Sequence, residues 1–230
     1  MKQLFLTAVV TVTLAIGAFA APIQSTCTPL ATYGDVLALG PGGCQVEDKI
    51  FNNFGSVAGN VPIPLNWQVT INLLPSGEHN VDLAQGSTGS QLSFPGGPWA
   101  VQYDVKVDTT FPGSLNNFIT EVGINLNAGA TGRGLLTKTI TNLDPLHGAM
   151  GALLGVVSTP GGSNVVTLVP PSQWIHVVET ISLTRGTLSS FTDAYVQEHL
   201  GGVPEPATYA MMGLGLAALG LIARRKKSQR

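Results

Sequence analysis

The residues able to do acid–base, nucleophilic or metal chemistry are few and widely spaced. The four histidines are His79, His147, His176 and His199, and none forms an H-x-x-x-H or H-E-x-x-H pair. No Gly-x-Ser-x-Gly elbow occurs, so the sequence displays no activated serine of the hydrolase type. Asp144 and His147, within Asn142-Leu143-Asp144-Pro145-Leu146-His147, would seat an acid beside a base. Asp-Pro is also a turn starter, and with no nucleophile in view the turn is the better reading. The Glu47-Asp48 carboxylates lack the D-x-D-x-D-G spacing of a calcium loop, and no histidine lies near either cysteine to complete a zinc site. The sequence therefore predicts no catalytic residue, no metal and no cofactor.

The elements that would carry these residues read as strands. Candidates are Asn66–Leu74, Gln91–Phe94, Ala100–Asp108, Phe118–Asn127, Leu135–Thr141, Gly151–Ser158, Asn164–Val169, Trp174–Thr184 and Ser190–His199. In Val101–Val107 the valines and Tyr103 share one face, and Gln102, Asp104 and Lys106 share the other, as in a strand with one packed side. Gln45–Phe54 alternates loosely into a further strand after the Gly40–Gly43 turn. His176 falls on the face of Trp174 and Val178, which predicts a packed or hydrogen-bonded histidine. His79 and Asp82 read as a solvated polar turn. Thr137, Thr139 and Thr141 line one face of a single strand, with Lys138 on the opposite face; one such row is ordinary for a β-rich protein and predicts no ice-binding array. With 28 glycines and 15 prolines placed mainly at turns, and no long amphipathic helix, the expected fold is an all-β antiparallel β-sandwich.

Both ends have a different character. Lys2, the apolar stretch from Leu4 to Phe19 and Ala18-Phe19-Ala20 read as a secretory signal peptide, with cleavage expected between Ala20 and Ala21, a retained anchor being the competing reading. The signal peptide thus spans 1–20, and the domain it exports spans 21–202. In an oxidising compartment the pair Cys27 and Cys44 is most simply a disulfide, two free thiols being the alternative. At the other end, Pro204-Glu205-Pro206 precedes an uncharged run from Ala207 to Ala223 and then Arg224, Arg225, Lys226 and Lys227. Seventeen residues as a helix span roughly 25 Å, enough for a thin bilayer. The basic cluster marks the cytoplasmic side, which leaves the bulk of the chain outside. Two prolines around Glu205 keep the juxtamembrane segment extended, as a protease or transpeptidase cleft requires; a plain single-pass anchor with a proline hinge is the other reading.

The order Val-Pro-Glu-Pro-Ala, a Gly/Leu/Ala-rich span and an Arg-rich end resembles the PEP-CTERM sorting signal of Gram-negative bacteria, a tail also labelled as an ice-binding-protein C-terminal domain. The resemblance covers 203–230. It implies recognition of Pro204, Glu205 and Pro206 by an exosortase, a membrane transpeptidase, after delivery by the Sec translocon and cleavage by signal peptidase. Gly43-Cys44, Asp48-Lys49, Phe51 and Asn53-Phe54 resemble the N-terminal block of PEP-CTERM surface proteins of unknown activity, in which an upstream cysteine accompanies the block, as Cys27 does here. Glu47 stands where such sequences often carry Gly.

Between Ala21 and Gly202 five basic residues face twelve acidic ones, a net of minus seven, with no cluster of Lys and Arg. That excludes a nucleic-acid footprint. The expected protein is a non-enzymatic, exported structural or adhesive component: an inner-membrane-anchored precursor, then a cell-surface or extracellular part of the exopolysaccharide matrix. A secreted carbohydrate-active hydrolase with the same tail is one alternative, requiring Asp144 and His147 to converge with another polar group. A carbohydrate-binding module is the other, requiring an exposed row of Trp67, Trp99 or Trp174.

Overall fold

A strand with one wet and one apolar face has to bury the apolar face against another layer, and many such segments in succession make two facing sheets. The computed structural model describes residues 26–27, 32–74, 77–86, 91–128, 133–146 and 148–200. In chain order these form a short helix α1 (Tyr33–Ala38), then β1 (Cys44–Val46), β2 (Lys49–Gly55), β3 (Val61–Pro62), β4 (Gln68–Leu73), β5 (His79–Ala84), β6 (Leu92–Ser93) and β7 (Trp99–Val107). There follow β8 (Asn117–Ala128), β9 (Arg133–Asn142), β10 (Leu153–Thr159), β11 (Gly162–Ser172), β12 (Trp174–Arg185) and β13 (Thr187–His199).

The first sheet runs β1-β2-β7-β12-β9-β10, with β3 beside β7; the second runs β11-β8-β13-β5-β4, with β6 beside β13. Every pairing is antiparallel except the short β3–β7 contact. The core lies between the sheets. Val101, Tyr103, Val105, Ile175, Val177, Ile181, Leu136 and Ile140 come from the first sheet, and Val81, Leu83, Val122, Ile124, Phe191 and Tyr195 from the second. The Phe51 and Tyr195 rings meet edge-on across the layers with centroids 6.1 Å apart.

Two local readings change. Gln45–Phe54 is a hairpin, because Val46 pairs with Lys49 and the chain reverses at Glu47-Asp48. Glu47 takes φ 50° there, the left-handed conformation that favours Gly. Secondly, His79 and Asp82 belong to strand β5, and His79 is fully buried. Its row is apolar and inward, since His79, Val81 and Leu83 alternate with Asn80 and Asp82; the polar spacers are what make the segment look like a turn. Ahead of the hairpin, α1 is started by a reciprocal cap: Asp35 N–H donates to Thr32 Oγ1 at 3.3 Å and Thr32 N–H to Asp35 Oδ2 at 2.9 Å.

Candidate functional site

The cysteine pair is placed as expected: Cys27 and Cys44 form a disulfide that ties the entry segment to β1. Ala20, Ala21, Pro204, Glu205, Pro206, the 207–223 span, Arg224, Arg225, Lys226 and Lys227 lie outside the described residues. Among the described residues no helix is long and apolar enough to cross a membrane.

The inter-sheet core holds a cluster of polar groups that reading by motif misses. Glu179 on β12 sits directly opposite Lys138 on β9, and both point inward; Asp193 reaches them from β13 of the other sheet. All three are fully buried. Lys138 Nζ lies 3.3 Å from Glu179 Oε1 and 2.5 Å from Asp193 Oδ1, and donates to the Gly123 carbonyl at 3.2 Å. The contact with Asp193 lacks hydrogen-bond alignment, so Asp193 Oδ1 has no hydrogen-bond partner among the described residues. The ammonium also stands 5.1 Å from the Tyr195 ring centre.

Tyr103 closes the cluster. Its hydroxyl oxygen is 2.6 Å from Asp193 Oδ2, 2.9 Å from Glu179 Oε1 and 2.5 Å from the Tyr195 hydroxyl. One phenol owns a single proton and can donate once, so two of these three contacts need a proton from the neighbour. Tyr195 supplies one and a protonated Glu179 the other. Burial, and then the Asp193 carboxylate, push Glu179 well above the ordinary carboxylate range, in line with that proton count. Burial and the same carboxylates raise both tyrosines, which stay neutral. The signal was present in the sequence: each of these strands carries one charged residue in an otherwise apolar row, as Glu179 does among Ile175, Val177 and Ile181.

A second buried group lies at the sandwich's end. Lys49 donates to Asp48 Oδ1 at 2.9 Å and to Gln197 Oε1, and Asn117 donates to Asp48 Oδ2 at 2.9 Å. His79 Nε2 is 4.0 Å from Asp48 Oδ1, and burial followed by the Lys49 charge lowers its pKa to about 4. His79 is thus a neutral core residue near neutral pH.

On the outer face of the first sheet His176 Nδ1 lies 2.7 Å from Asp104 Oδ1, and Asn53 donates to Asp104 Oδ2 at 2.6 Å. His176 is hydrogen-bonded, as the alternation predicts. Asp144 is a turn residue: its carboxylate accepts from Leu146 N–H at 2.9 Å and Gln173 N–H at 3.3 Å. His147 lies outside the described residues. Trp67 and Trp99 are buried and Trp174 is half-buried beneath Lys106, whose Nζ is 5.1 Å from the ring centre. No exposed tryptophan row exists. Among the described residues no group of three or more His, Cys, Asp or Glu is placed to hold a metal.

The outer face of the second sheet carries a groove of about 330 Å³. Two cross-strand rows build its floor, Asn80-Ala194-Gly123-Val165 and Thr192-Asn125-Ser163. The small Ala194 and Gly123 make the concavity; a Cβ on Gly123 would come within 3.3 Å of Ala194 Cβ. Asn80 Oδ1 is buried there with no hydrogen-bond partner among the described residues.

Comparison with solved structures finds a xylan-binding domain of carbohydrate-binding module family 22, formerly called x6b, at 9% identity, covering 65% of this chain and 88% of that one, TM-score 0.29. The C-terminal family 22 module of Clostridium thermocellum Xyn10B matches at 10% identity over 65% and 88%, TM-score 0.28. A Glycosylation Associate Protein complex from Streptococcus agalactiae matches at 10% identity over 66% and 46%, TM-score 0.25. None of these scores carries a functional argument. No curated protein matches the sequence. The family model that does match is the PEP-CTERM protein-sorting motif, over residues 202–227. The chain therefore carries a PEP-CTERM sorting signal, which marks it for export as a membrane-anchored precursor processed by an exosortase-type membrane enzyme.

Proposed function

We propose that this is a non-enzymatic structural or adhesive protein of a Gram-negative cell surface or its exopolysaccharide matrix. The Sec translocon delivers it, signal peptidase cuts between Ala20 and Ala21, and the 207–223 segment holds the precursor in the inner membrane. An exosortase-type transpeptidase then reads Pro204-Glu205-Pro206 and releases the sandwich outward. The observation that carries this reading is the sorting motif across residues 202–227. The disulfide supports passage through an oxidising compartment.

The test is processing in the native host. The mature chain is expected to end near Pro206 by intact mass, and Glu205→Ala to leave a membrane-bound precursor that retains Arg230. Normal processing of the Glu205→Ala chain would defeat the reading. As a second reading, the groove on the second sheet contacts a hydroxyl-rich polymer. The unsatisfied Asn80 Oδ1 beside Asn125 and Thr192 favours it, since a buried orphan acceptor gains most from a ligand donor. Sedimentation with the host's own exopolysaccharide is expected to weaken at least about five-fold in Asn80→Ala/Asn125→Ala, given one or two hydrogen bonds lost. Equal sedimentation of both proteins would remove the groove from consideration.

A further inference from the structure

The inter-sheet cluster contains an amine, a carboxyl that it faces, and a second carboxyl that holds a proton. We propose that Lys138 Nζ and Asp193 Cγ condense into an intramolecular isopeptide bond that joins the two sheets, with Glu179 as the proton shuttle. The inference goes beyond the sorting and adhesive reading and does not depend on it.

Geometry comes first. Lys138 Nζ lies 2.5 Å from Asp193 Oδ1. A carboxyl C–O bond of about 1.2 Å then keeps Nζ within about 3.7 Å of Cγ, near the distance at which attack begins. Their contact is close without being a hydrogen bond, as the unsatisfied Asp193 Oδ1 records. An ion pair at rest would align its N–H with a carboxylate lone pair, as Lys49 does toward Asp48 at 2.9 Å. Glu179 is in reach of both partners: Oε1 is 3.3 Å from Nζ, and the Glu179 and Asp193 carboxyls meet at the Tyr103 hydroxyl, 2.9 and 2.6 Å from it.

The surroundings favour the product. Lys138, Glu179 and Asp193 are fully buried among Tyr103, Tyr195 and aliphatic side chains. Two carboxyls and one ammonium cannot all be charged there at low cost, and even a well-matched buried ion pair recovers its desolvation penalty poorly. An amide removes both charges, and a dry core holds little water to reverse its formation. Glu179 enters as the acid that the Tyr103 proton count already requires.

The chemistry balances without an added reagent. Proton transfer converts the ammonium–carboxylate pair into Lys138 amine and Asp193 carboxylic acid. The Nζ lone pair attacks Cγ while Glu179 protonates the carbonyl oxygen. Glu179 then takes a proton from Nζ and gives it to one hydroxyl, which departs as water, while the remaining hydroxyl returns its proton to Glu179 as the amide C=O forms. One N–C bond forms, one C–O bond breaks, one water leaves, and Glu179 ends as it began.

The test is a tryptic digest of the folded full-length chain. Trypsin will not cut after an acylated lysine, so residues 134–185 are expected uncut and covalently joined to the peptide that follows Arg185, the pair one water lighter than its parts. Asp193→Asn is expected to give the same linked product with ammonia leaving instead. Lys138→Arg and Asp193→Ala abolish the link, and Glu179→Gln slows it about a hundred-fold, as loss of an acid–base group does. Circular dichroism separates a missing link from a missing fold. Cleavage after Lys138 and a free Asp193 peptide from folded wild-type protein would overturn the proposal, as would undiminished linkage in folded Glu179→Gln.

Discussion

At position 79 the protein buries an ionisable ring that the fold keeps neutral. Its pKa drops from 6.5 to about 4, through burial first and the Lys49 charge second. Because the folded value lies below the unfolded one, the stability tied to neutral His79 is complete above about pH 6.5. It is lost as the pH falls toward 4, when the unfolded chain binds a proton that the folded one refuses. The slope from this residue is at most about 1.4 kcal/mol per pH unit. His79→Leu should cancel that slope in urea titrations run between pH 4 and 6.5; an unchanged pH profile would show that the ring is charged in the fold. Glu47 makes the opposite kind of case, being a side chain at φ 50° where the hairpin reverses. Glu47→Gly should stabilise by about 1 kcal/mol, the left-handed strain removed less the entropy added to the unfolded chain, and a lower denaturant midpoint would contradict it. At this scale the sequence was readable wherever alternation was followed to its end. The alternation that puts His176 on the face of Trp174 and Val178 puts Glu179 on the opposite face with Ile175 and Val177, and it puts Lys138 with Leu136 and Ile140. Counting charges as a net of minus seven conceals that three of them share one dry site.

Among the elements, the β1–β2 hairpin is held twice over. Gly43 leads into β1 at φ 63°, and a Cβ there would lie 2.2 Å from the Phe51 carbonyl oxygen and 2.4 Å from Asn52 Cβ. One residue later the Cys27–Cys44 disulfide fastens the strand to the incoming chain. Gly43→Ala should cost at least about 2 kcal/mol, because backbone, not a flexible side chain, blocks the added methyl. Replacing both cysteines by Ala should cost about 3 kcal/mol on the loop-entropy account. Since both changes loosen one hairpin, the combined variant should lose less than the sum; strict additivity in denaturant midpoints would mean that the two sites do not share an element. Most strands were legible because Val, Ile, Leu and aromatic residues alternate with polar ones between Pro- and Gly-rich turns. β5 was not, as a histidine in its inward row and Asn80 and Asp82 outward imitate a loop. The β1–β2 reversal was hidden too, since nothing in Gln45–Phe54 carries the usual Gly of a two-residue turn.

For the molecule as a whole, strand order was beyond sequence reasoning. The neighbours β7-β12-β9 and β8-β13-β5 are chosen by which faces fit across the core, a non-local matter that no window of residues encodes. The itinerary, by contrast, is written locally, in the sorting motif over residues 202–227. On the proposed reading its parts act in sequence: the apolar run from Ala207 to Ala223 halts in the bilayer, and Arg224, Arg225, Lys226 and Lys227 fix which side its end faces. Each of those cations is costly to draw through hydrocarbon, by about 2.5–3.5 kcal/mol on insertion scales. Changing all four to Ser removes that barrier while leaving Pro204-Glu205-Pro206 intact. The varied chain should lose its fixed orientation, so a tag placed after Arg230 becomes open to protease added outside spheroplasts, and the processed fraction should fall several-fold. A tag that stays protected, with normal processing, would assign the orientation to the apolar run alone and leave the basic cluster without a role in sorting.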